Sequence, residues 1–534
     1  MLGSLNRGPE RTTTVSPFVL RFRRFAVAAD DEVAAEVGAR VLRRGGNVVD
    51  AVVASALALC VTRVDCCGLG GYGGFMVVSM ESAGEVAVVD FNTRAPIAAH
   101  ERVYRFIGEH VEGWRTADRE SEQGLRSISV PAVLAGLMRA SEELGAVDVS
   151  DAISTAARLA RSGLTVDRRL SSAIAESAGK VRRDRHASAL FLVGGGAPPP
   201  GRVLSLRGLA GLLEELARDP YDLYAGDAGE SLGAYVEEGG GLLTFDDLQR
   251  YSPTISSPLS YEVDERAVLV PRDCSGGLTA LQVLGGCSPV REGVADVLEV
   301  AEDVVNVLRN AWAVRLSRLG DPDYASVPYA SLLSEKALRA LMEERAKPPP
   351  LPGLPSGASA GAVAATSDGD AAALSLSLGA PFGSGVVVPG LDLLMNNGMA
   401  LFDPRPGRPN SIAPGKRPLS NLCPAIVLRE GVAESALSFA GGRAAVSLTG
   451  IALARHLVYG QPLWRSLTAP RLHAVHSGPV FIDEGVSAEV ERRLRAAGHA
   501  VRRLRRVGGP AVAASVDESG RVVAASDAAP PAGG

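Results

Sequence analysis

Between Asp30 and Arg44 the apolar residues Val33, Ala34, Val37, Val41 and Leu42 recur at helical spacing, and Gly45-Gly46 follows as a stop. The next segment, Asp50 to Val61, is Ala, Val and Leu almost throughout. It predicts a helix without a polar face, which must therefore be buried. The period then changes. Phe75-Met-Val-Val-Ser79 and Val86-Ala-Val-Val-Asp-Phe91 predict two β-strands. From about residue 130 to about 345 the pattern is mostly helical, with loop punctuation at Gly194–Gly201 and a strand expected near Ala267–Val270.

The clearest break runs from Lys347 to Ser359, where five prolines and two glycines rule out a helix or a central strand. Beyond it, Ala362–Thr366 and Ala371–Leu378 flank Ser367-Asp-Gly-Asp370, which predicts a β-hairpin. There is no internal repeat. The chain reads as an untethered N-terminal extension (1–25), a large region (26–358) and a smaller, strand-rich region (359–534). The fold class expected is α+β.

Charge and composition narrow the function. Sixty acidic against fifty-five basic residues give a net charge of −5, which argues against a nucleic-acid footprint. No run of 18 apolar residues suggests a membrane span. Arginines 7, 11, 21, 23 and 24 lie near the start, but no apolar export-signal core accompanies them, so the chain reads as cytoplasmic. The six cysteines then read as free thiols, and neither they nor the seven histidines show metal-ligand spacing.

Gly68-Leu-Gly-Gly-Tyr-Gly73 fits the dinucleotide-binding pattern but has a helix before it and a strand after it, the reverse of what that site needs. It reads as a tight helix-to-strand turn. The Pro/Gly-rich break has two readings. One is an interdomain linker. The other is a cleavable segment: if the Ala358–Ser359 bond were cut, Ser359 would carry a hydroxyl and an α-amine, and an α-amine of pKa ~7.7–8.0 can serve as general base at neutral pH. Gly441-Gly442 could then offer two backbone N–H groups to an oxyanion.

From about Val27 to about Asp527 the chain resembles the gamma-glutamyltransferase (glutathione hydrolase) family of N-terminal nucleophile hydrolases. The likeness rests on Glu36–Asn47, Val49–Ala54, Gly68–Phe75, Asp90–Pro96, Ser129-Val-Pro131, Leu243–Leu248 and Ser275-Gly-Gly277. It continues through Gly320-Asp-Pro-Asp323, Pro381–Gly385, Asn396-Asn397, Lys416–Ser420, Gly441-Gly442, Pro470-Arg471 and Ala525-Ser-Asp527.

The resemblance implies a four-layer αββα sandwich cut by its own nucleophile into a large and a small chain, with no cofactor and no metal. It puts Ser359 at the family's nucleophilic threonine and Ala360 at the threonine beside it. Gly441 and Gly442 fall at the oxyanion donors, and Asn92, Arg94, Ser377, Ser420 and Asn421 in the substrate site. Asn92 replaces the arginine that grips the γ-glutamyl carboxylate, with Arg94 two positions on. Leu401 replaces the aspartate for the amino group, Gly398 a glutamine and Gly379 an asparagine.

The expected activity is an autoprocessed amide hydrolase or acyltransferase acting on a small glutathione-like or other acyl amide. Its acyl specificity is altered toward a carboxylate without an α-amine. A conventional glutathione hydrolase and an unprocessed binding protein are the alternatives.

Overall fold

A computed structural model describes residues 18–287, 293–344, 352–353 and 357–534. Two seven-stranded antiparallel sheets form its centre. In order across the first lie Phe18–Phe22, Val522–Ser526, Ala511–Val516, Val432–Phe439, Ala425–Arg429, Arg266–Val270 and Leu259–Val263. Across the second lie Ala532–Gly533, Phe25–Ala29, Ala358–Thr366, Ala371–Gly379, Gly73–Met80, Glu85–Asn92 and Thr254–Ser256.

Three apolar layers follow from the two-residue period of the strands. Along Ala358–Thr366, the alanines 360, 362 and 364 pack with the helices Glu32–Arg43, Val48–Thr62 and Val133–Leu144. The alternate residues Val363 and Ala365 enter a core shared with Ile426, Ala436 and Val512 of the other sheet. A third core joins that other sheet to the helices Gly277–Gly286, Ala301–Arg318 and Arg443–Leu457. Helix, sheet, sheet, helix is the αββα sandwich expected.

The helix Val48–Thr62 is buried along almost its whole length, as its lack of a polar face requires. Asn47 caps it in a reciprocal box with Asp50, and the Asp50 carboxylate also accepts from Ala146 N–H at 3.0 Å. Gly68–Gly73 is a helix-to-strand turn with no helix following it. A Cβ on Gly70 would lie 2.3 Å from the Leu394 carbonyl oxygen, so the glycine is set by close approach of backbone.

One expectation is corrected. Residues 18–22 are not part of an untethered extension: Phe18–Phe22 pairs antiparallel with Val522–Ser526 as the edge strand of its sheet. Residues 1–17 lie outside the described residues, as do 345–351 and 354–356 of the Pro/Gly-rich break. Ser359 is the second residue of an interior strand, and strands from both 26–358 and 359–534 contribute to each sheet. All six cysteines are buried and free. No helix among the described residues is long and apolar enough to cross a membrane.

Candidate active site

Ser359 sits where the strand Ala358–Thr366 begins, and the pairing with Ala371–Gly379 is irregular between Ala358 and Ala360. Its side chain faces the other sheet and is 5% exposed. The Gly441 N–H donates to Ser359 Oγ at 3.1 Å. The Ser377 hydroxyl donates to the Ala358 carbonyl, and Ser377 Oγ accepts from Gly379 N–H at 2.7 Å. The bond between Ala358 and Ser359 thus has a polarising donor on its carbonyl and a hydroxyl on its other side.

Behind Ser377 stands Tyr72, whose hydroxyl pairs with Ser420 at 2.9 Å and whose backbone N–H donates to the Ser377 carbonyl at 3.0 Å. Burial raises the Tyr72 phenol well above its ordinary range, so it remains a neutral donor. Arg315 donates to the carbonyls of Ser275 and Ser420, each at 2.6 Å, fixing the Ser420 turn. A buried ion cluster holds this side from below: Arg417 pairs with Asp321 at 2.8 Å and with Asp90 at 3.1 Å. Three scattered sequence strings therefore meet in one place.

The other side is made of glycine. Gly441 has φ +116° and Gly442 has φ +59°, values that side-chain-bearing residues rarely take. Gly442 immediately precedes the helix Arg443–Leu457, so its surroundings carry the positive end of a helix dipole. A Cβ on Gly357 would lie 2.2 Å from Gly442 N, and one on Gly441 would lie 2.3 Å from Gly509 N. A second ion pair supports this packing, since Arg471 binds Asp527 at 2.6 Å and the Gly509 carbonyl at 2.7 Å.

Next to the nucleophile strand, the buried Asp30 carboxylate accepts from Gly361 N–H at 3.1 Å. Burial pushes its carboxyl up to about 7, opposed by the Arg63 guanidinium and by that hydrogen bond.

A cavity of about 420 Å³ opens beside the glycines, with Gly357, Gly379, Gly442, Leu401 and Asn421 on its wall. Further wall residues come from the hairpin Phe106–His110/Gly113–Thr116, from Arg119 and Glu122, from Lys180, and from Pro352 and Asn397. Trp114 of the hairpin stacks on two guanidinium groups, Arg405 at 4.4 Å and Arg443 at 5.7 Å from its ring centre. Glu112 accepts from Arg443 N–H at 3.1 Å, which docks the hairpin on the helix that follows the glycine pair.

The residues singled out in the sequence divide three ways. Ser359, Ala358, Ser377, Gly441 and Gly442 converge around one bond, and Asn421 joins them on the cavity wall. Ser420 lies one step behind, through Tyr72. Asn92 and Arg94 do not join them. Asn92 is buried and donates to the Pro418 carbonyl at 2.8 Å, while Arg94 lies past the strand end and donates to the Gly415 carbonyl at 2.9 Å.

Arg94, which the resemblance puts in the substrate site, is not on the cavity wall. Its guanidinium is engaged away from the cavity wall. Among the histidines His110 lines the cavity, whereas His473 is wholly buried on Ser447. Tyr72, Glu112, Trp114, Arg115, Arg119 and Lys180 were not anticipated. Tyr72 is hidden in a glycine turn, and the others lie in segments without a recognisable local pattern.

A protein named Acylase ACY 1 proenzyme, from Pseudomonas sp. strain SE83, is 29% identical over 518 residues, covering 94% of this chain and 91% of that one. Glutathione hydrolase 2 of Arabidopsis thaliana is 30% identical over 477 residues, covering 84% and 80%. Among solved structures, cephalosporin acylase from Bacillus halodurans superposes with a TM-score of 0.85 at 22% identity, over 98% of this chain and 97% of that one. That likeness bears on the fold alone. The Gamma-glutamyltranspeptidase family model matches residues 34–532. The chain belongs to the gamma-glutamyltranspeptidase family and is an enzyme of its hydrolase and acyltransferase kind.

Proposed function

We propose that this chain cuts itself between Ala358 and Ser359 and then turns over small amides through an acyl-enzyme on Ser359. The observation that carries this reading is the pair of contacts around one peptide bond: Gly441 N–H on Ser359 Oγ, and the Ser377 hydroxyl on the Ala358 carbonyl.

In maturation, Ser359 Oγ bonds to the Ala358 carbonyl carbon. The Ala358–Ser359 C–N bond breaks, and the hydroxyl proton passes to the departing nitrogen. Water hydrolyses the resulting ester, leaving an Ala358 carboxylate and a Ser359 with free hydroxyl and free α-amine. That amine, with an ordinary pKa of ~7.7–8.0, takes the hydroxyl proton in each later turnover and returns it to the leaving amine. In maturation the oxyanion forms on the Ala358 oxygen that the Ser377 hydroxyl already holds, and in turnover the N–H groups of Gly441 and Gly442 receive the oxyanion of the substrate's tetrahedral intermediate. Asn421 contacts substrate from the cavity wall, and Ser420 positions Ser377 through Tyr72.

Intact-mass measurement tests maturation directly. The expected products are chains of 358 and 176 residues, and Ser359→Ala should remain one chain of 534. A single full-length mass in active wild-type protein sinks the proposal.

The acyl group preferred is one bearing a carboxylate and no α-amine. Leu401 and Gly379 on the cavity wall offer no anion to an ammonium, which would be costly to bury unpaired, and the carboxylates that do line the wall are engaged, Glu122 by Arg119 and Glu112 by the Arg443 N–H. Relatives named as acylases stand beside those named as glutathione hydrolases, in keeping with a family in which acyl choice varies. Glutaryl p-nitroanilide should therefore show a higher kcat/KM than γ-glutamyl p-nitroanilide. A γ-glutamyl preference of tenfold, about 1.4 kcal/mol, would overturn this choice.

A further inference from the structure

The geometry points to Lys180 as the residue that anchors the acyl carboxylate and so sets specificity, an inference that rests on the reading of the acyl group given above. The chain has only four lysines among fifty-five basic residues. This one ends the helix Arg168–Val181 and lines the same cavity as Gly357, Gly379 and Gly442. Its ammonium donates to the main-chain carbonyls of Pro381 at 2.7 Å and Gly383 at 2.8 Å. An ammonium has three N–H bonds, so one donor remains after those two.

The other cations around the site are committed or displaced. Arg119 is held by Glu122 through two hydrogen bonds of 2.8 and 3.1 Å. Arg443 donates to the Val111 carbonyl and stacks on two tryptophans, while Arg94 points to Gly415. Arg115 lines the cavity too, but from an exposed position on the hairpin.

Lys180 forms no ion pair among the described residues; its partners are neutral carbonyls. A cation in that setting gains most from an incoming anion, because the carbonyls orient it without neutralising it. Burial and Arg119 push its ammonium down to about 8 against the opposing charge of Glu122, so it is still mostly charged at neutral pH. Tethering to Pro381 and Gly383 also fixes the ammonium to the loop that follows the strand Ala371–Gly379. Acyl-chain length is thereby measured from the nucleophile's own neighbouring strand.

The test compares the matured wild type, Lys180→Gln and Lys180→Arg on three p-nitroanilides of equal chain length: glutaryl, pentanoyl and γ-glutamyl. Glutamine keeps two donors for the Pro381 and Gly383 carbonyls and removes the charge. The glutaryl-to-pentanoyl ratio of kcat/KM should fall about 100-fold in Lys180→Gln, mostly through KM, which is the scale of losing one partner of a desolvated charge pair. Lys180→Arg should recover at least a tenth of the wild-type ratio.

Equal losses on glutaryl and pentanoyl substrates, or no change in their ratio, would overturn the assignment and leave Lys180 as support for the loop. The two readings separate cleanly. If the wild type prefers γ-glutamyl but Lys180→Gln loses both carboxylate-bearing substrates selectively, the anchor stands and the acyl-class reading falls. If the wild type prefers glutaryl and Lys180→Gln keeps that preference, the reverse holds. A wild type that favours pentanoyl overturns both.

Discussion

The two sides of the site are built from different materials. The side that meets the reacting bond is backbone: Gly357, Gly441 and Gly442 touch so closely that a single Cβ would collide, and the buried Arg471–Asp527 pair holds the loop packed against them. The side that would read the acyl group is side chains, contributed by a hairpin, a helix end and two loops. A reaction centre made of main-chain N–H groups has little freedom to vary, because each donor depends on chain geometry rather than on residue identity. A wall made of Leu401, Lys180 and Trp114 can change one residue at a time. Chemistry and specificity are thus separable in this molecule.

The largest expected effect falls on the backbone side. Gly441→Ala places a Cβ 2.3 Å from Gly509 N at φ +116°. It should lower kcat by roughly 10²–10³, the usual cost of disturbing one oxyanion donor, and slow maturation on a time course followed by gel. A matured variant with kcat within threefold of wild type would break the contrast between the two sides.

A smaller effect, of opposite kind, is expected on the wall. Leu401→Asp restores an anion to the cavity. It should raise the γ-glutamyl-to-glutaryl ratio of kcat/KM about tenfold, near 1.4 kcal/mol, without loss of self-cleavage. If cleavage fails together with specificity, the two sides are coupled after all.

The smallest is a pH effect beneath the nucleophile strand. Folding lifts the Asp30 carboxyl from 3.8 to about 7, so the folded state holds a proton that the unfolded state has released between those values. Its stability contribution is greatest below pH 4 and declines as pH rises toward 7. Asp30→Asn does not titrate there. Compared in the uncut Ser359→Ala background by urea unfolding, the Asn variant should gain on its parent by up to about 1.4 kcal/mol per pH unit across that window. A difference that is flat with pH would show that Asp30 is ionised in the folded protein.

How much of this was legible in the sequence follows the same division. The apolar helix Val48–Thr62, the hairpin around Ser367–Asp370 and the glycine turn before Gly73–Met80 each carry a local signal, and each forms as read. Ser359, Gly441 and Gly442 were reachable because the Pro/Gly-rich break and the glycine pair allow the chemistry and the resemblance to the family puts it there. The cavity wall carries no such signal. Lys180 looks like any polar helix residue, and the hairpin Phe106–His110/Gly113–Thr116 is short and half polar. Arg94 illustrates the opposite error. It lies two positions from Asn92, yet the chain has left the strand by then, and the side chain turns to a different loop. Tyr72 could be found only by asking what faces Ser420 across 348 residues.

Strands from before and after residue 358 lie side by side in both sheets, so a cut there would make the order of events irreversible. Before cleavage one covalent thread guides Ala358–Thr366 between Phe25–Ala29 and Ala371–Gly379. After it, those neighbours would belong to two molecules that must find each other from solution. Once unfolded, the mature enzyme would have lost the connection that assembled it, and its persistence would be governed by how slowly it opens rather than by an equilibrium it can revisit. Heat or urea should therefore destroy the cut protein for good, whereas the uncut Ser359→Ala chain keeps the means to return.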